Sequence, residues 1–260
     1  MTKKTALITG GSTGIGYELA RCFAAHGHDL VLIARHTDTL EAAAGKIEGK
    51  YGVKVQTMTF DLADPDSPQK LFDAINAEGI QIDYLVNNAG FGLGGEFIDT
   101  DLQTELDMIQ VNVTAVVHLT KLFLPAMVKR KEGRIMNVAS TAAFYPGPLA
   151  SIYYSTKNFV LAFTEAIAEE LRKTGVTVTA LCPGPTETNF AERSGTSKSR
   201  LFTDSVVASA EEVAKYGYAA MMKGQRVAIP GAGNKLLMQA ERLAPRRLVT
   251  FITRKVQENR

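Results

Sequence analysis

Apolar and polar residues follow one another along the chain in a repeating order of short apolar run, loop and amphipathic segment. The apolar runs have the length of strands, and the amphipathic segments repeat their apolar residues every three or four positions, as helices do. The longest helices are predicted over Thr100–Arg130 and Ser151–Lys173, with shorter ones after the first strand and over Thr37–Lys50 and Ser67–Glu78. The predicted strands are Ala6–Ile8, Leu30–Ala34, Val53–Phe60, Tyr84–Val86, Ile135–Val138, Val176–Leu181 and Val227–Ile229.

Strands that alternate with helices need crossover connections, which are almost always right-handed and give a parallel sheet covered on both faces. We therefore predict a doubly wound, three-layer α/β sandwich of the Rossmann type, with a seven-stranded parallel sheet in a single domain over residues 1–260. Ligands of such sheets bind outside the carboxyl ends of the strands. The first long helix is expected to carry Leu102, Leu106, Ile109, Val113, Val116 and Phe123 on one side.

Composition narrows the class of protein. The chain is 45% hydrophobic and 22% charged, and its net charge of +2 is too small to indicate a nucleic-acid partner. No apolar run suggests a signal peptide or a membrane span, so a cytoplasmic location is expected. Cys22 and Cys182 are not spaced as a ligand pair and the four histidines lack metal-ligand spacing, so no metal site is expected.

A glycine-rich loop joins the first strand to the first helix and carries Gly10, Gly11, Gly14 and Gly16. A helix N-terminus leaves backbone N–H groups unpaired and its dipole favours anions, so this loop predicts a pyrophosphate site. Glycine allows positive φ and a close approach of the ligand to the backbone. The spacing is looser than the commonest dinucleotide fingerprint, so an ordinary turn is the alternative; without Gly-Lys-Ser/Thr, the loop is not that of a nucleotide hydrolase.

Polar residues follow the next three strands. Arg35 stands where a dinucleotide fold normally has a ribose-binding carboxylate, and its guanidinium suits a 2′-phosphate instead. Asp61-Leu62 and Asn87–Gly90 follow the third and fourth strands, where an aspartate could accept from an adenine and a small turn could lie flat against a cofactor. A solvated arginine and ordinary turn or capping residues are the alternatives.

Tyr153 and Lys157 are four residues apart on a predicted helix and therefore share one face. A nearby ammonium favours the phenolate, so Lys157 is expected to lower the pKa of Tyr153 and to make it a general acid. Tyr154 competes for this role, but its partner four residues on is the uncharged Asn158. A tyrosine and a lysine at this spacing are common on helices. Three further features favour a catalytic role: the hydroxyl of Ser140, the amide of Asn112 and the rigid turn Cys182–Thr188.

In this order and spacing, the motifs resemble those of the short-chain dehydrogenase/reductase family, in its compact NADP-preferring branch, over about residues 4–230. The resemblance implies that Tyr153 protonates the substrate oxygen, that Lys157 also holds the nicotinamide ribose, and that Ser140 orients the substrate. It implies that Asn112 binds a water linking Lys157 to solvent. The implied substrate is a small hydrophobic carbonyl or alcohol, and the implied oligomer is a homodimer or homotetramer that pairs through the two long helices.

The resemblance also implies NADP(H), in preference to NAD(H), as the cofactor. Ser12 and Arg35 would recognise the 2′-phosphate, although Thr13 stands where many NADP-preferring relatives have a basic residue. A non-catalytic NADP-binding sensor or scaffold is the alternative function, since the fold alone does not imply catalysis. The implied cofactor-binding residues are Gly10, Ser12, Thr13, Gly14, Ile15, Gly16, Arg35, Asp61, Leu62, Asn88, Ala89, Gly90, Tyr153, Lys157, Pro183, Gly184, Thr186 and Thr188.

Two C-terminal segments depart from the regular pattern. Residues 185–209 form a long polar stretch that grows from the sixth strand and is interpreted as a substrate lid. Residues 235–260 are a basic amphipathic tail interrupted by Pro245; such a helix can lie on a membrane, but packing on the domain or a partner subunit is the favoured interpretation. The substrate pocket is expected to be lined by Phe91–Gly95, Phe144–Ile152 and the lid, with apolar side chains from Phe144, Tyr145, Pro146, Leu149, Phe190 and Phe202.

Overall fold

The computed structural model describes residues 3–196, 207–241 and 244–258, and it contains a seven-stranded parallel sheet with helices on both faces. The strand order is β3-β2-β1-β4-β5-β6-β9, so the chain winds outward from β1 in one direction and then from β4 in the other. This confirms the predicted doubly wound sandwich. The sheet strands are β1 Thr5–Thr9, β2 Asp29–Ala34, β3 Val55–Thr59, β4 Tyr84–Asn87, β5 Gly133–Val138, β6 Val176–Leu181 and β9 Val227–Ala228.

The helices cover the sheet and differ from the predicted ones mainly at their ends. The second long helix, for example, ends at Glu170 rather than Lys173, because the chain turns there toward Gly175, which has a φ of +81°. The helices are α1 Gly14–Ala25, α2 Thr37–Tyr51, α3 Ser67–Ala77, α4 Leu102–Ile109, α5 Ala115–Arg130, α6 Ser151–Glu170, α7 Phe190–Arg193, α8 Ala210–Met222, α9 Ala232–Glu241 and α10 Arg246–Gln257.

Two apolar cores lie on the two faces of the sheet. Successive residues of a strand point to opposite faces, so Ile8 packs with α1, α2 and α8 on one side while Leu7 packs with α3 and α5 on the other. Phe23 lies in the first core with Tyr84 and Tyr218, and Phe123 lies in the second. Because both faces are buried, the strands read as continuous apolar runs, which is why they could be found in the sequence.

The first predicted long helix contains a π-helical turn at Gln110–Thr114, between α4 and α5. Val116 and Phe123 are buried, but Leu102 and Leu106 are 67% and 48% exposed. The prediction that these residues lie on one side of a single helix is therefore wrong. A π turn adds a residue to one turn, so the apolar face of α4 does not line up with that of α5. Ile109 is also exposed, and Val113 is half-buried.

The helical stretch Leu102–Arg130 is also apolar and long enough to span a membrane, contrary to the expectation that no segment is. No other stretch within the described residues passes this test. In the fold, however, 44% of its most apolar window is buried, and α5 packs against the sheet through Ala115, Leu119 and Phe123. The stretch therefore behaves as a core helix of the sandwich.

The predicted lid is partly regular. Two short strands, β7 at Thr186–Glu187 and β8 at Ala208–Ser209, pair in parallel at its two ends, and α7 follows β7. Residues 197–206, which include Leu201 and Phe202, lie outside the described residues.

The C-terminal tail forms α9 and α10, and Pro245 is the N-cap residue of α10. Arg242 and Leu243 lie outside the described residues.

Candidate active site

The glycine loop brings its backbone against the end of β4. Gly10 and Gly14 have φ angles of +65° and +56°, which L side chains rarely adopt. A Cβ on Gly10 would lie 2.8 Å from the Asn88 amide nitrogen, and a Cβ on Gly16 would overlap the Gly10 carbonyl oxygen. The loop therefore requires glycine at these positions for steric reasons.

Thr9 and Asn88 tie the loop to the sheet. The Asn88 amide group donates to the carbonyl oxygens of Thr9 at 2.9 Å and Gly10 at 3.2 Å. The Thr9 hydroxyl accepts from the backbone N–H groups of Asn88 and Ala89, both at 3.0 Å. These bonds fix the two strand ends at which a dinucleotide binds in sheets of this topology.

The N-terminus of α1 fits a pyrophosphate. Thr13 is the N-cap residue, but its side chain caps no backbone N–H, and the first turn of α1 contains no acidic residue. The unpaired N–H groups and the positive end of the helix dipole therefore face the loop with no protein anion beside them. Together with the backbone cradle that a Cβ would fill, this donor set fits the phosphates of a dinucleotide.

One cavity of about 340 Å³ runs from the glycine loop past the carboxyl ends of the central strands to Tyr153. Gly16 and Asn112 are the predicted site residues that do not line it: Gly16 packs beneath the loop, and Asn112 is buried behind the cavity wall. The predicted residues that do line it are Gly10, Ser12, Thr13, Gly14, Ile15, Arg35, Asp61, Leu62, Asn88, Ala89, Gly90, Ser140, Tyr153, Lys157, Pro183, Gly184, Thr186 and Thr188.

Arg35 lies at one end of this cavity, just after β2, and its side chain is exposed. The neighbouring His36 and Thr39 also line the cavity, although the sequence analysis did not select them. Asp61 is engaged in a local turn, because its carboxylate accepts from the Ala63 N–H at 3.0 Å. This end of the cavity thus offers a cation and hydroxyl groups, which fits the ribose-phosphate part of a dinucleotide.

At the other end, Ser140, Tyr153 and Lys157 come together. Ser140 follows β5 and lies beside the Tyr153 side chain in the cavity. Its hydroxyl accepts from the Ala142 N–H at 3.1 Å and donates to the Pro183 carbonyl oxygen at 3.4 Å. The Lys157 ammonium lies 5.8 Å from the centre of the Tyr153 ring and donates to the Val138 carbonyl oxygen at 2.9 Å. Spacing on α6 aligns the tyrosine with the lysine, and the parallel pairing of the sheet brings Ser140 to them.

Burial decides the pKa values of this group. Removal from water raises the pKa of Tyr153 above its ordinary value of 10, and the hydrogen bond from Ser140 only partly offsets this. The net shift is therefore opposite to the expected lowering, because desolvation of the phenolate outweighs the other effects. Desolvation also lowers the pKa of Lys157 to about 8. At neutral pH, the tyrosine is uncharged and most of the lysine is protonated.

Asn112 occupies the π turn and clamps the loop after β4. Its side-chain oxygen accepts from the Phe91 N–H at 3.1 Å, and its nitrogen donates to the Phe91 carbonyl at 2.9 Å and to the Thr156 hydroxyl at 3.1 Å. A Cβ on Gly90 would lie 2.9 Å from the Asn112 oxygen and 3.3 Å from the Lys157 nitrogen, so the three groups are in close contact. The implied water relay stays a prediction.

Tyr154 and Gln257 line the cavity beside Tyr153, and the sequence analysis missed this arrangement. The Tyr154 hydroxyl accepts from the Gln257 amide rather than meeting Ser140, so the two neighbouring tyrosines have different partners. Burial raises the pKa of Tyr154 to about 12. Gln257 is the last residue of α10, 103 positions away along the chain, and no local sequence pattern signals such a contact.

The apolar lining differs from the predicted one. Tyr145 and Phe190 line the cavity, and the Phe190 ring lies 5.2 Å from that of Tyr153. Phe144 instead lines a separate cavity beside Met238, and Pro146 and Leu149 line neither. The 3₁₀ turn Thr141–Phe144 causes this difference, because it turns Phe144 toward the C-terminal side of the sandwich.

We searched the described residues for side chains that could bind a metal ion. No group of three or more His, Cys, Asp or Glu side chains lies close enough to hold an ion there. Cys22 and Cys182 are both free thiols.

A phosphate-binding glycine loop and a buried tyrosine–lysine pair at one edge of a doubly wound sheet define an α/β oxidoreductase that uses a dinucleotide. A sequence model described as short chain dehydrogenase matches residues 4–199, and the chain belongs to that family of oxidoreductases. This confirms the resemblance.

Individual relatives span several activities. The human very-long-chain 3-oxoacyl-CoA reductase is 36% identical over 191 residues, which are 72% of this chain and 61% of that protein. A monensin polyketide synthase putative ketoacyl reductase from Streptomyces virginiae is 39% identical over 74% of each chain. A short-chain dehydrogenase from Sphingobium yanoikuyae, solved in complex with NADPH, is 32% identical over 95% of each chain, with a TM-score of 0.84. The chain thus spans only about half to three fifths of several curated relatives that it matches.

Proposed function

We propose that the protein is an NADP(H)-dependent reductase of hydrophobic carbonyl compounds, which oxidises the corresponding secondary alcohols in the reverse direction. The observation that carries the proposal is the meeting of Ser140, Tyr153 and the buried ammonium of Lys157 in one cavity, with the ammonium 5.8 Å from the centre of the Tyr153 ring. These groups share one cavity with the glycine loop, so a carbonyl and a dinucleotide fit side by side.

In this mechanism, the Ser140 hydroxyl donates a hydrogen bond to the substrate carbonyl oxygen and holds it against Tyr153. Tyr153, which burial keeps protonated at neutral pH, gives its hydroxyl proton to that oxygen. The ammonium of Lys157 stabilises the negative charge that then develops on the phenol. When bound, NADP(H) supplies the hydride for reduction or accepts it in oxidation.

Several residues would hold the cofactor. The N–H groups at the start of α1 are suited to the pyrophosphate, and Lys157, which lines the same cavity, would hold the nicotinamide ribose. Arg35 and Ser12 would recognise a 2′-phosphate, because the end of β2 carries a guanidinium where a ribose-binding carboxylate would favour NAD. The preference for NADP(H) rests mainly on Arg35.

The walls around Tyr153 favour a substrate with apolar groups next to its carbonyl. Phe190 and Tyr145 supply aromatic surface, and segment 185–209 is proposed to close over the substrate as a lid. The names of the relatives, which include 3-oxoacyl-CoA and ketoacyl reductases, make 3-oxoacyl thioesters the first substrates to test. Bulky ketones are the second group, because a 26% identical solved relative is described as specific for them.

A non-catalytic NADP-binding module is less well supported. Cofactor binding alone would not need the Ser140 hydroxyl beside a buried tyrosine.

The test is the rate of NADPH oxidation with a panel of 3-oxoacyl thioesters and bulky ketones. We expect Tyr153→Phe to lower kcat by about 100-fold or more while leaving NADPH affinity within a few-fold, because only the proton donor is lost.

Arg35→Ala should lower kcat/KM for NADPH by roughly 10- to 100-fold and leave kcat/KM for NADH nearly unchanged. NADPH binding with no turnover above the Tyr153→Phe background would favour the sensor or scaffold.

A further inference from the structure

The C-terminal helix, α10 at Arg246–Gln257, presents its apolar face to solvent. Phe251 is 60% exposed, and Leu248 and Ile252 on the same face are about half exposed. On the opposite face, Thr253 and Gln257 are buried, at 6% and 8% exposure. A surface helix of a globular protein normally has the reverse orientation, with its apolar stripe on the core.

Polar contacts hold the helix in this orientation. Gln257 donates to Tyr154 in the wall of the cavity, and Arg254 pairs with Glu96 at 2.6 Å. The Arg254–Glu96 pair places α10 beside the loop before α4. In that loop Phe97 and Ile98 are also exposed. The outward apolar surface therefore has contributions from two segments of the chain.

Basic residues surround this surface. Helix α10 contains Arg246, Arg247, Arg254 and Lys255, and Glu258 follows it as the nearest acidic residue in the sequence. Arg254 and Lys255 are paired with carboxylates, whereas Arg246 and Arg247 form no ion pair with any described residue. The Lys255 ammonium lies 6.0 Å from the Phe251 ring centre, so its stem runs along the apolar face while its charge stays in water.

We propose that the outward face of α10, together with Phe97 and Ile98, binds the surface of an anionic lipid bilayer. Aromatic and aliphatic side chains flanked by arginine and lysine match the headgroup region, where the apolar groups enter the acyl boundary and the cations meet lipid phosphates. Gln257, on the buried face of the same helix, lines the cavity near Tyr153 and Tyr154. A membrane bound to the outward face of α10 would therefore lie on the side of the molecule next to that end of the cavity.

A second copy of the chain is a poorer occupant of this surface. A two-fold contact through α10 would bring Arg247 and Lys255 close to their own copies, and like charges repel. A different apolar surface, formed by Leu102, Leu106, Ile109 and Phe159 on α4 and α6, is available for self-association. The proposal depends on no particular activity of the enzyme.

The first test is co-sedimentation of the full chain with vesicles of phosphatidylcholine alone or with 30 mol% phosphatidylglycerol. We expect binding to the anionic vesicles that weakens in high salt, and little binding to phosphatidylcholine. The double variant Phe251→Ser/Ile252→Ser should bind the anionic vesicles more weakly by a factor of roughly 10 or more, because two apolar side chains no longer enter the bilayer. Leu236→Ser is the matched control, since Leu236 is 73% exposed but lies on α9, outside the proposed surface.

The second test uses the absence of tryptophan from the chain. In Phe251→Trp, the single indole should shift its emission to shorter wavelength when anionic vesicles are added, and in Leu236→Trp it should not. The proposal is overturned if wild type ignores anionic vesicles, or if the Phe251→Ser/Ile252→Ser variant binds them as wild type does. It is also overturned if that variant changes only the oligomeric state in light scattering, which would make a second copy the occupant.

Discussion

Lys157 is the residue whose burial has the largest electrostatic consequence at the site. Its pKa falls from 10.5 to about 8 because the side chain is 5% exposed and its charge is desolvated. The folded state therefore binds this proton more weakly than the unfolded state does. The protonated lysine costs stability in full below about pH 8, and the cost disappears as the pH rises from 8 to 10.5.

We predict that Lys157→Met abolishes turnover but stabilises the protein at pH 7 by roughly 2 kcal/mol, after allowing for the lost hydrogen bond to Val138. The gain should shrink between pH 8 and 10.5, and thermal melts at several pH values measure it. Lys173→Met, at an exposed position, is the control and should show no such pH dependence. A variant less stable than wild type at both ends of this range would contradict the argument.

For these residues, the sequence predicts which side chains lie close together but not how deeply they are buried. The spacing of Tyr153 and Lys157 predicts their proximity, because helix geometry is local. The direction of the tyrosine pKa shift was not predictable, since it depends on how much protein surrounds the ring. The Gln257–Tyr154 contact joins residues 103 positions apart, so no periodicity could reveal it.

Among the elements, the turn from β1 into α1 has the strictest steric demand. We predict that Gly16→Ala destabilises the protein by roughly 3 kcal/mol and removes most of the NADPH-induced rise in Tm, because the new Cβ overlaps the Gly10 carbonyl oxygen and forces the loop to move. Thermal melts with and without NADPH measure both effects.

Gly45→Ala is the matched control for this substitution. Gly45 lies inside α2, and a Cβ there meets nothing within 4 Å, so alanine should stabilise the helix by about 0.5–1 kcal/mol and leave the NADPH effect unchanged. If Gly16→Ala keeps the NADPH-induced shift of wild type, the glycine loop is not the phosphate site.

The strands and helices were largely predictable because a two-sided parallel sheet gives apolar runs separated by amphipathic helices. Two features of single helices were not. The π turn at Gln110–Thr114 accompanies the bonds of Asn112 to the Phe91 backbone, which are tertiary contacts. For α10, periodicity identified which residues share a face, but it did not determine that Thr253 and Gln257 face inward.

On the scale of the whole molecule, the exposed face of α4 and α6 is an apolar surface that the monomer leaves uncovered. Leu102, Leu106 and Ile109 lie on α4, and Phe159 on α6, which packs beside it, is also exposed. Phe159 stacks on Phe163 with ring centres 6.0 Å apart, which keeps the aromatic part of this surface in place. A contiguous apolar surface of this kind is typical of a protein–protein interface.

We therefore propose that the protein pairs through α4 and α6 into a homodimer or a homotetramer. Leu106→Glu should convert the oligomer to a monomer. Two-fold symmetry means that this one substitution buries two carboxylates close together at the interface, one from each subunit. Size-exclusion chromatography with light scattering measures the mass of the assembly. Leu236→Glu is the control and should leave the assembly intact, since Leu236 is exposed on α9, away from this surface. If Leu106→Glu keeps the wild-type mass while Leu236→Glu lowers it, assembly uses the C-terminal side of the molecule, and the lipid-binding surface assigned to α10 must be reconsidered with it.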